Sequence, residues 1–311
     1  MFLLDSRREN KIICGVRICV IFNPVARGDK ARHFRDWLNR VSSECVLKPT
    51  LRAGDARRLA AVAVAEHFET VVAAGGDGTV NEVLNGIGDT PGGLENTRLG
   101  VLPLGTVNVF ARELKIPMNI AAAWEILRRG HEAKLDLPCA EFIADGKPAR
   151  LFFAQLAGAG LDTRAIELVN WELKKKIGPL AYVVAGLKAL AERKTRITVQ
   201  TGSENLSGEL VLLGNGKLYG GDFQIFTAAD LRDGRLDVCV FPRVNFWTLL
   251  RVAPGLLWRK KISEKFVRRL AAEEITLTGE GPAAFELDGE WAGKLPVTFS
   301  VARGKLRVVV P

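Results

Sequence analysis

Residues Thr70 to Gly86 read TVVAAGGDGTVNEVLNG: a short apolar run, a glycine-rich turn and an amphipathic segment. That order spells a buried strand, a loop of phosphate size and a helix. Gly75, Gly76 and Gly78 can take backbone angles closed to other residues and let amide N–H groups approach an anion with no Cβ in the way. Thr79 stands where it would cap the following helix. Helix N-termini attract phosphate through free N–H groups and the macrodipole, so the expected guest is a polyphosphate. Asp77 complicates this picture. A carboxylate among phosphate-binding amides repels the guest unless a cation lies between them or the residue takes a proton, and both roles belong to phosphoryl transfer.

Working outward, apolar runs alternate with helical periodicity: strand 16–22, helix 28–41, strand 45–50, helix 55–67, strand 70–74, helix 79–87, strand 98–102, and helices 106–112 and 119–129. Alternation of this kind builds a parallel, doubly wound sheet that binds ligands at the carboxyl ends of its strands. After Leu135 the pattern changes. ARLFFAQLAG, TRITVQT, SGELVLLGNG, DFQIFTA, RLDVCVF, EITLTG, AAFELDGEW, VTFSVA and KLRVVV are strand-like and separated by turns, which predicts an antiparallel sandwich. The expected class is α/β plus all-β: a parallel-sheet domain over 1–133, a β-sandwich domain over 134–311, and the phosphate site in the cleft between them.

The chain has 311 residues, 48% of them hydrophobic, enough for a large core. It contains no run of eighteen apolar residues, and the start, MFLLDSRRENK, has too short an apolar part for a signal peptide, which predicts a soluble protein. Five scattered cysteines without metal-ligand spacing fit reduced thiols in a cytoplasm. The net charge of +9 comes without a nucleic-acid motif, so nucleic acid is not expected as a partner. A generic basic surface explains the charge, and so does an anionic membrane. Asn170 to Lys194 and Phe246 to Lys261 each combine an apolar middle with Lys or Arg, the second carrying Trp247, Trp258, Arg259, Lys260 and Lys261; they read as interfacial or core-packing helices.

GGDGTVNEVLNG resembles the signature of the diacylglycerol kinase catalytic family, which takes in sphingosine and ceramide kinases and is distantly related to NAD kinases. Neither Walker lysine spacing nor a protein-kinase loop is present. The likeness recurs in order along the chain. VRICVIFNPVARG places Asn23, Pro24 and Gly28 as in the family's first nucleotide loop, with one extra residue; LGVLPLGTVNVFARELKIP resembles its third, with Gly105, Thr106 and Asn108; GNGKLYGGDFQIFTAADLRDGRLDV and ELDGEW resemble its later glycine-rich hairpin and DGE.

The resemblance implies an ATP-dependent lipid kinase with Mg²⁺, acting on a diacylglycerol- or sphingoid-like hydroxyl at the inner, anionic membrane surface from a cytoplasmic, peripheral position. It implies Asp288 as the group that deprotonates or orients the acceptor hydroxyl, and Asp77 with Glu290 at the metal, although the sphingosine kinase branch is described with the glycine-loop carboxylate as base. Asn23, Gly28, Gly75, Gly76, Gly78, Thr79, Gly105, Thr106 and Asn108 would line the nucleotide, Asp162 the lipid head group, and Asp233 a structural cation; a second copy of the chain is a candidate partner. Glu82 fits either the site or a capping role, Asp162 either the head group or an N-cap, and Asp233 a turn as well as a cation. Bacterial diacylglycerol kinases of this family usually carry an aspartate after Asn108, where this chain has Val109. Two other readings stand beside the lipid kinase. An NAD-kinase-type enzyme would be expected to show a TPTGSTAY-like motif, absent here; a non-catalytic lipid-binding module would not need Asp77, Asp288 and Glu290.

Overall fold

The computed structural model describes the chain except residues 1–11, 14–15, 25–33, 35–36, 39–40, 162, 164–194, 203, 246 and 248–264. It divides into two compact units, Met1–Leu135 with Lys305–Pro311, and Asp136–Gly304.

The first unit is a parallel sheet flanked by helices. Val16–Phe22 lies between Val46–Pro49 and Thr70–Gly75, and Thr70–Gly75 pairs in turn with Arg98–Pro103, all parallel. Strands buried on both faces must be apolar throughout, and Val71, Val72, Ala73, Ala74, Leu99 and Leu102 are at most 1% exposed. Register decides where the site lies. Phe22 pairs with Ala74, and Gly75 with Pro103, so the turns that follow all three strands leave the sheet at one edge. Helices Asp55–Ala65 and Asp77–Asp89 touch closely at Gly86, where a Cβ would stand 2.2 Å from the Arg57 carbonyl oxygen. Within the expected helix 28–41, the described positions Phe34, Trp37, Leu38 and Val41 are helical and buried, the spacing of one helix face. The C-terminal return is not a sandwich strand at its end. Val308 pairs in parallel with Leu99, and Arg307 binds Glu132 through two hydrogen bonds of 2.9 Å.

The second unit is antiparallel. One sheet runs Arg268–Ala272, Leu236–Phe241, Leu210–Gly214, Leu156–Gly160, Ala284–Leu287, Glu290–Lys294; in the other, Glu274–Gly279 lies between the first half of Val297–Val309 and Ile197–Gln200, which pairs with Asn205–Gly208. Their inner faces share one apolar core in which Phe142, Phe153, Phe285 and Phe299 meet edge to face at 5.0–6.0 Å. Among the strands that escape sequence reading are Glu132–Ala144 and Arg268–Ala272. Pro138 argues against the first and clustered charge against the second.

Among the described residues no helix is long and apolar enough to cross a membrane. Most of the two segments read as interfacial, Asn170 to Lys194 and Phe246 to Lys261, lies outside the described residues, though Trp247 is described and exposed.

Candidate active site

In the first unit the glycine turn after Thr70–Gly75 packs directly on the turn after Arg98–Pro103. A Cβ on Gly105 would stand 2.5 Å from the Gly76 Cα, a distance no side chain tolerates, so these loops require glycine for close approach. Main-chain bonds fasten them: Leu104 and Gly105 donate to the Gly75 carbonyl at 2.9 and 3.2 Å. Asn108 completes the second loop. Its Oδ1 accepts from the Gly105 N–H at 2.9 Å and its Nδ2 donates to the Gly105 carbonyl at 2.8 Å, while its backbone is left-handed, φ 55°. Asparagine is among the few residues with a side chain that tolerate that conformation.

The helix begins earlier than the sequence predicts. Gly76 is the N-cap, in extended conformation, and Asp77, not Thr79, opens the helix Asp77–Asp89. Thr79 therefore does not cap. It lies within the first turn, and a Cβ on Gly75 would stand 2.3 Å from its Oγ1, so its side chain covers the Gly75 backbone. Gly78 is the second helical residue. Asp77 Oδ1 accepts from the Phe110 N–H at 3.2 Å, the second residue of the short helix Val109–Glu113, which tethers the two loops through one carboxylate. Its Oδ2 has no protein partner among the described residues. Thr106 is exposed, and the expected helix 106–112 starts only at Val109, whose side chain is buried. Asn23 is exposed immediately after Val16–Phe22, on the same sheet edge, and Gly28 lies outside the described residues.

Glu82, ambiguous in sequence, caps a neighbouring helix. Its carboxylate accepts from the N–H groups of Gly54 and Ala56 at 3.0 and 2.9 Å, at the start of Asp55–Ala65.

In the second unit Asp288 and Gly289 form the two-residue turn between Ala284–Leu287 and Glu290–Lys294, both with positive φ (50° and 86°), as a tight hairpin of the I′ kind requires. The Asp288 carboxylate is surrounded by main-chain donors: Oδ2 accepts from Ala154 at 2.8 Å, Oδ1 from Gln155 at 2.9 Å and Leu156 at 3.1 Å. Such donors suit an ionised carboxylate. Glu290 opens the following strand and is exposed. Sequence reasoning missed Glu286, wholly buried, whose Oε2 accepts from the Gly289 N–H at 2.7 Å and braces the turn. It also missed Asp136, 2% exposed, which accepts from Gly234 and Gly304 at 2.5 and 2.8 Å. Neither has a spacing that separates it from an ordinary surface acid.

Asp233 is exposed and its Oδ1 accepts from the Arg235 N–H at 2.9 Å, an Asx turn two residues long. Nearby Asp237 has its carboxyl pushed above the ordinary aspartate range, mainly by burial and then by Asp233. No group of three or more His, Cys, Asp or Glu side chains among the described residues is arranged to hold a metal ion. Asp162 lies outside the described residues. The four described cysteines, Cys19, Cys45, Cys139 and Cys239, are buried, and burial raises the Cys19 thiol to about 12, so it stays protonated.

The chain is similar along most of its length to diacylglycerol kinases. The diacylglycerol kinase catalytic domain matches residues 17–140, and the YegS C-terminal NAD kinase beta sandwich-like domain matches residues 155–310. A diacylglycerol kinase of Staphylococcus saprophyticus subsp. saprophyticus is 30% identical over 277 residues, 88% of this chain and 87% of that one. One from Staphylococcus aureus strain MRSA252 is 30% identical over 302 residues, 95% of this chain and 92% of that one. The crystal structure of a diacylglycerol kinase from Bacillus anthracis str. Sterne shares the fold, with a TM-score of 0.69 at 21% identity over 95% of this chain and 97% of that one. Two domain matches in sequence order, together with relatives aligned along nearly their whole length, establish that the chain belongs to the diacylglycerol kinase family, a family of lipid kinases.

Proposed function

We propose that the chain transfers the γ-phosphate of ATP to the hydroxyl of a diacylglycerol- or sphingoid-like lipid. The observation that carries this reading is the paired glycine loop with Asp77 at its centre. Backbone amides and a helix N-terminus there suit a polyphosphate, and one carboxylate oxygen has no protein partner among the described residues. That oxygen is a hard donor of the kind Mg²⁺ takes, and Asp77 with Glu290 would hold the ion; when bound it neutralises charge on the phosphate oxygens. Asp233 is the weaker metal candidate because its Oδ1 is engaged in its own turn.

Gly75, Gly76, Gly78, Thr79, Gly105, Thr106 and Asn108, with Asn23 and Gly28, would bind the nucleotide. Asp288 would orient the acceptor hydroxyl and take its proton, which a poor nucleophile at neutral pH needs. Asp162 would meet the lipid head group. Val109 removes one acidic group from the metal surroundings common in bacterial members, so the carboxylates that remain carry that role alone.

The test is label transfer from γ-labelled ATP to diacylglycerol, sphingosine and ceramide in mixed micelles, with and without EDTA. Label in one lipid, abolished by EDTA, is expected; label found only in a soluble nucleotide acceptor would favour the NAD-kinase type. The cytoplasmic, peripheral location is tested separately. Binding to anionic vesicles should exceed binding to neutral ones and weaken with salt, and replacing Arg259, Lys260 and Lys261 by Gln should cost up to about 3 kcal/mol of binding, about 1 kcal/mol per charge. Indifference to lipid charge would remove this account of the basic cluster.

A further inference from the structure

Asp288 is held through a short stretch of main chain, so whatever fixes that stretch also fixes the carboxylate. The N–H groups of Gln155 and Leu156 both donate to Asp288 Oδ1. Each belongs to a planar peptide unit whose carbonyl, from the preceding residue, points the opposite way. Both carbonyls end on Asn215. Its Nδ2 donates to the Ala154 carbonyl at 3.0 Å, and its own N–H donates to the Gln155 carbonyl at 2.9 Å. Asn215 and Asp288 thus grip the same two peptide planes from opposite sides. Asn215 is 1% exposed, its Nδ2 also reaches the Asp136 carbonyl at 3.3 Å, and its Oδ1 has no partner among the described residues. The side chain is used there as a donor. Gln155 adds a lesser anchor, donating from Nε2 to the Leu218 carbonyl at 3.0 Å.

We propose that Asn215 is a positioning residue for Asp288, setting the orientation of the two peptide planes that aim the carboxylate. This rests on the reading of Asp288 as the group that orients the acceptor hydroxyl. Misplacement of a reacting group by about an ångström costs up to about a hundredfold in rate, so the effect belongs in kcat and leaves ATP binding alone.

The experiment compares wild type, Asn215→Ser, Asp288→Ala and the double variant, each as the full chain with Mg²⁺, ATP and the lipid panel, and follows amide hydrogen exchange across residues 154–156. Asn215→Ser keeps the main-chain bond to the Gln155 carbonyl and loses the Nδ2 bond to the Ala154 carbonyl, so it should keep its circular dichroism, lose about tenfold to a hundredfold in kcat with KM for ATP nearly unchanged, and exchange faster at Gln155. On the Asp288→Ala background it should cost nothing further. Gln155→Met, which keeps the main chain and removes the Nε2 bond to the Leu218 carbonyl, should show the same pattern at a few-fold and decides the matter should Asn215→Ser not fold. Unchanged kcat despite faster exchange, or an undiminished loss on the Asp288→Ala background, overturns the proposal. Wild-type protein that labels none of the lipids overturns the underlying reading of the site instead.

Discussion

Asp77 and Asp288 both stand beside glycine at a turn, yet their surroundings differ in kind. Asp77 opens a thirteen-residue helix, where the macrodipole favours a negative charge, and one of its oxygens accepts a single N–H, from Phe110. Asp288 is held by three amides across both oxygens, in a turn whose own backbone is left-handed. The first carboxylate has an oxygen to offer a cation. The second is aimed, and its freedom to rotate is gone. On the proposed reading, the contrast divides phosphoryl transfer into parts: charge neutralisation would fall to the carboxylate with an open oxygen, and orientation of the nucleophile to the carboxylate that cannot move.

The largest expected effect breaks both ends of the comparison at once. Asp77→Ala and Asp288→Ala should each lower lipid phosphorylation by at least about a hundredfold, the lower end for losing a positioned acid or base. Turnover near wild type in either variant, measured by label transfer after a circular dichroism control, would remove that residue from the chemistry.

A smaller effect sharpens the Asp77 side. Val109 is buried at the start of its helix, one residue before the amide that Asp77 accepts. Val109→Asp places a second carboxylate against the first, and activity should stay similar or fall, with stability reduced by about 1–3 kcal/mol for burying a polar group in an apolar position. A large gain in turnover would show instead that the valine impairs the site.

A third carboxylate supplies a control in which an ion pair replaces amides. Glu132 is held below the ordinary glutamate range, first by the hydrogen-bonded Arg307 guanidinium, and both side chains are 26% exposed. A depressed folded value means the stabilisation is present above the ordinary glutamate range and is lost as pH falls through the folded value. Glu132→Gln should therefore cost about 1 kcal/mol at neutral pH and nothing in acid below both values, read by urea unfolding at each pH. An equal cost at both would assign the loss to packing.

Much of this arrangement is legible in the chain, for identifiable reasons. The alternation from Val16 to Arg129 carries the parallel sheet because both periods, of strand and helix, are written in side-chain polarity. Gly76 and Gly105 could be assigned to turns, but their mutual contact could not, since it joins backbones 29 positions apart. Thr79 misled because a Thr after glycines looks like a cap, whereas Gly76 takes that place and frees Asp77 to begin the helix. Glu82 could not be resolved for a similar reason: the amides it caps, Gly54 and Ala56, are 28 and 26 residues away. In the second unit the DG turn is readable as a hairpin, while the amides of 154–156 and the grip of Asn215 are invisible. Main-chain donors have no letter in the sequence, and these lie more than 130 residues from the aspartate they hold.

The contrast between the two aspartates is tested most directly by the unfolding free energies of Asp77→Asn and Asp288→Asn, measured side by side by urea denaturation. At position 77 an amide keeps an oxygen for Phe110 and turns its NH₂ toward the open side, so stability should fall by less than about 1 kcal/mol, the share of a charge lost at a helix N-terminus. At position 288 one oxygen becomes a donor facing a main-chain N–H of residues 154–156. That variant should lose about 1–3 kcal/mol, the cost of a donor left unsatisfied. Equal losses at the two positions, or a stable Asp288→Asn beside an unstable Asp77→Asn, would contradict the account.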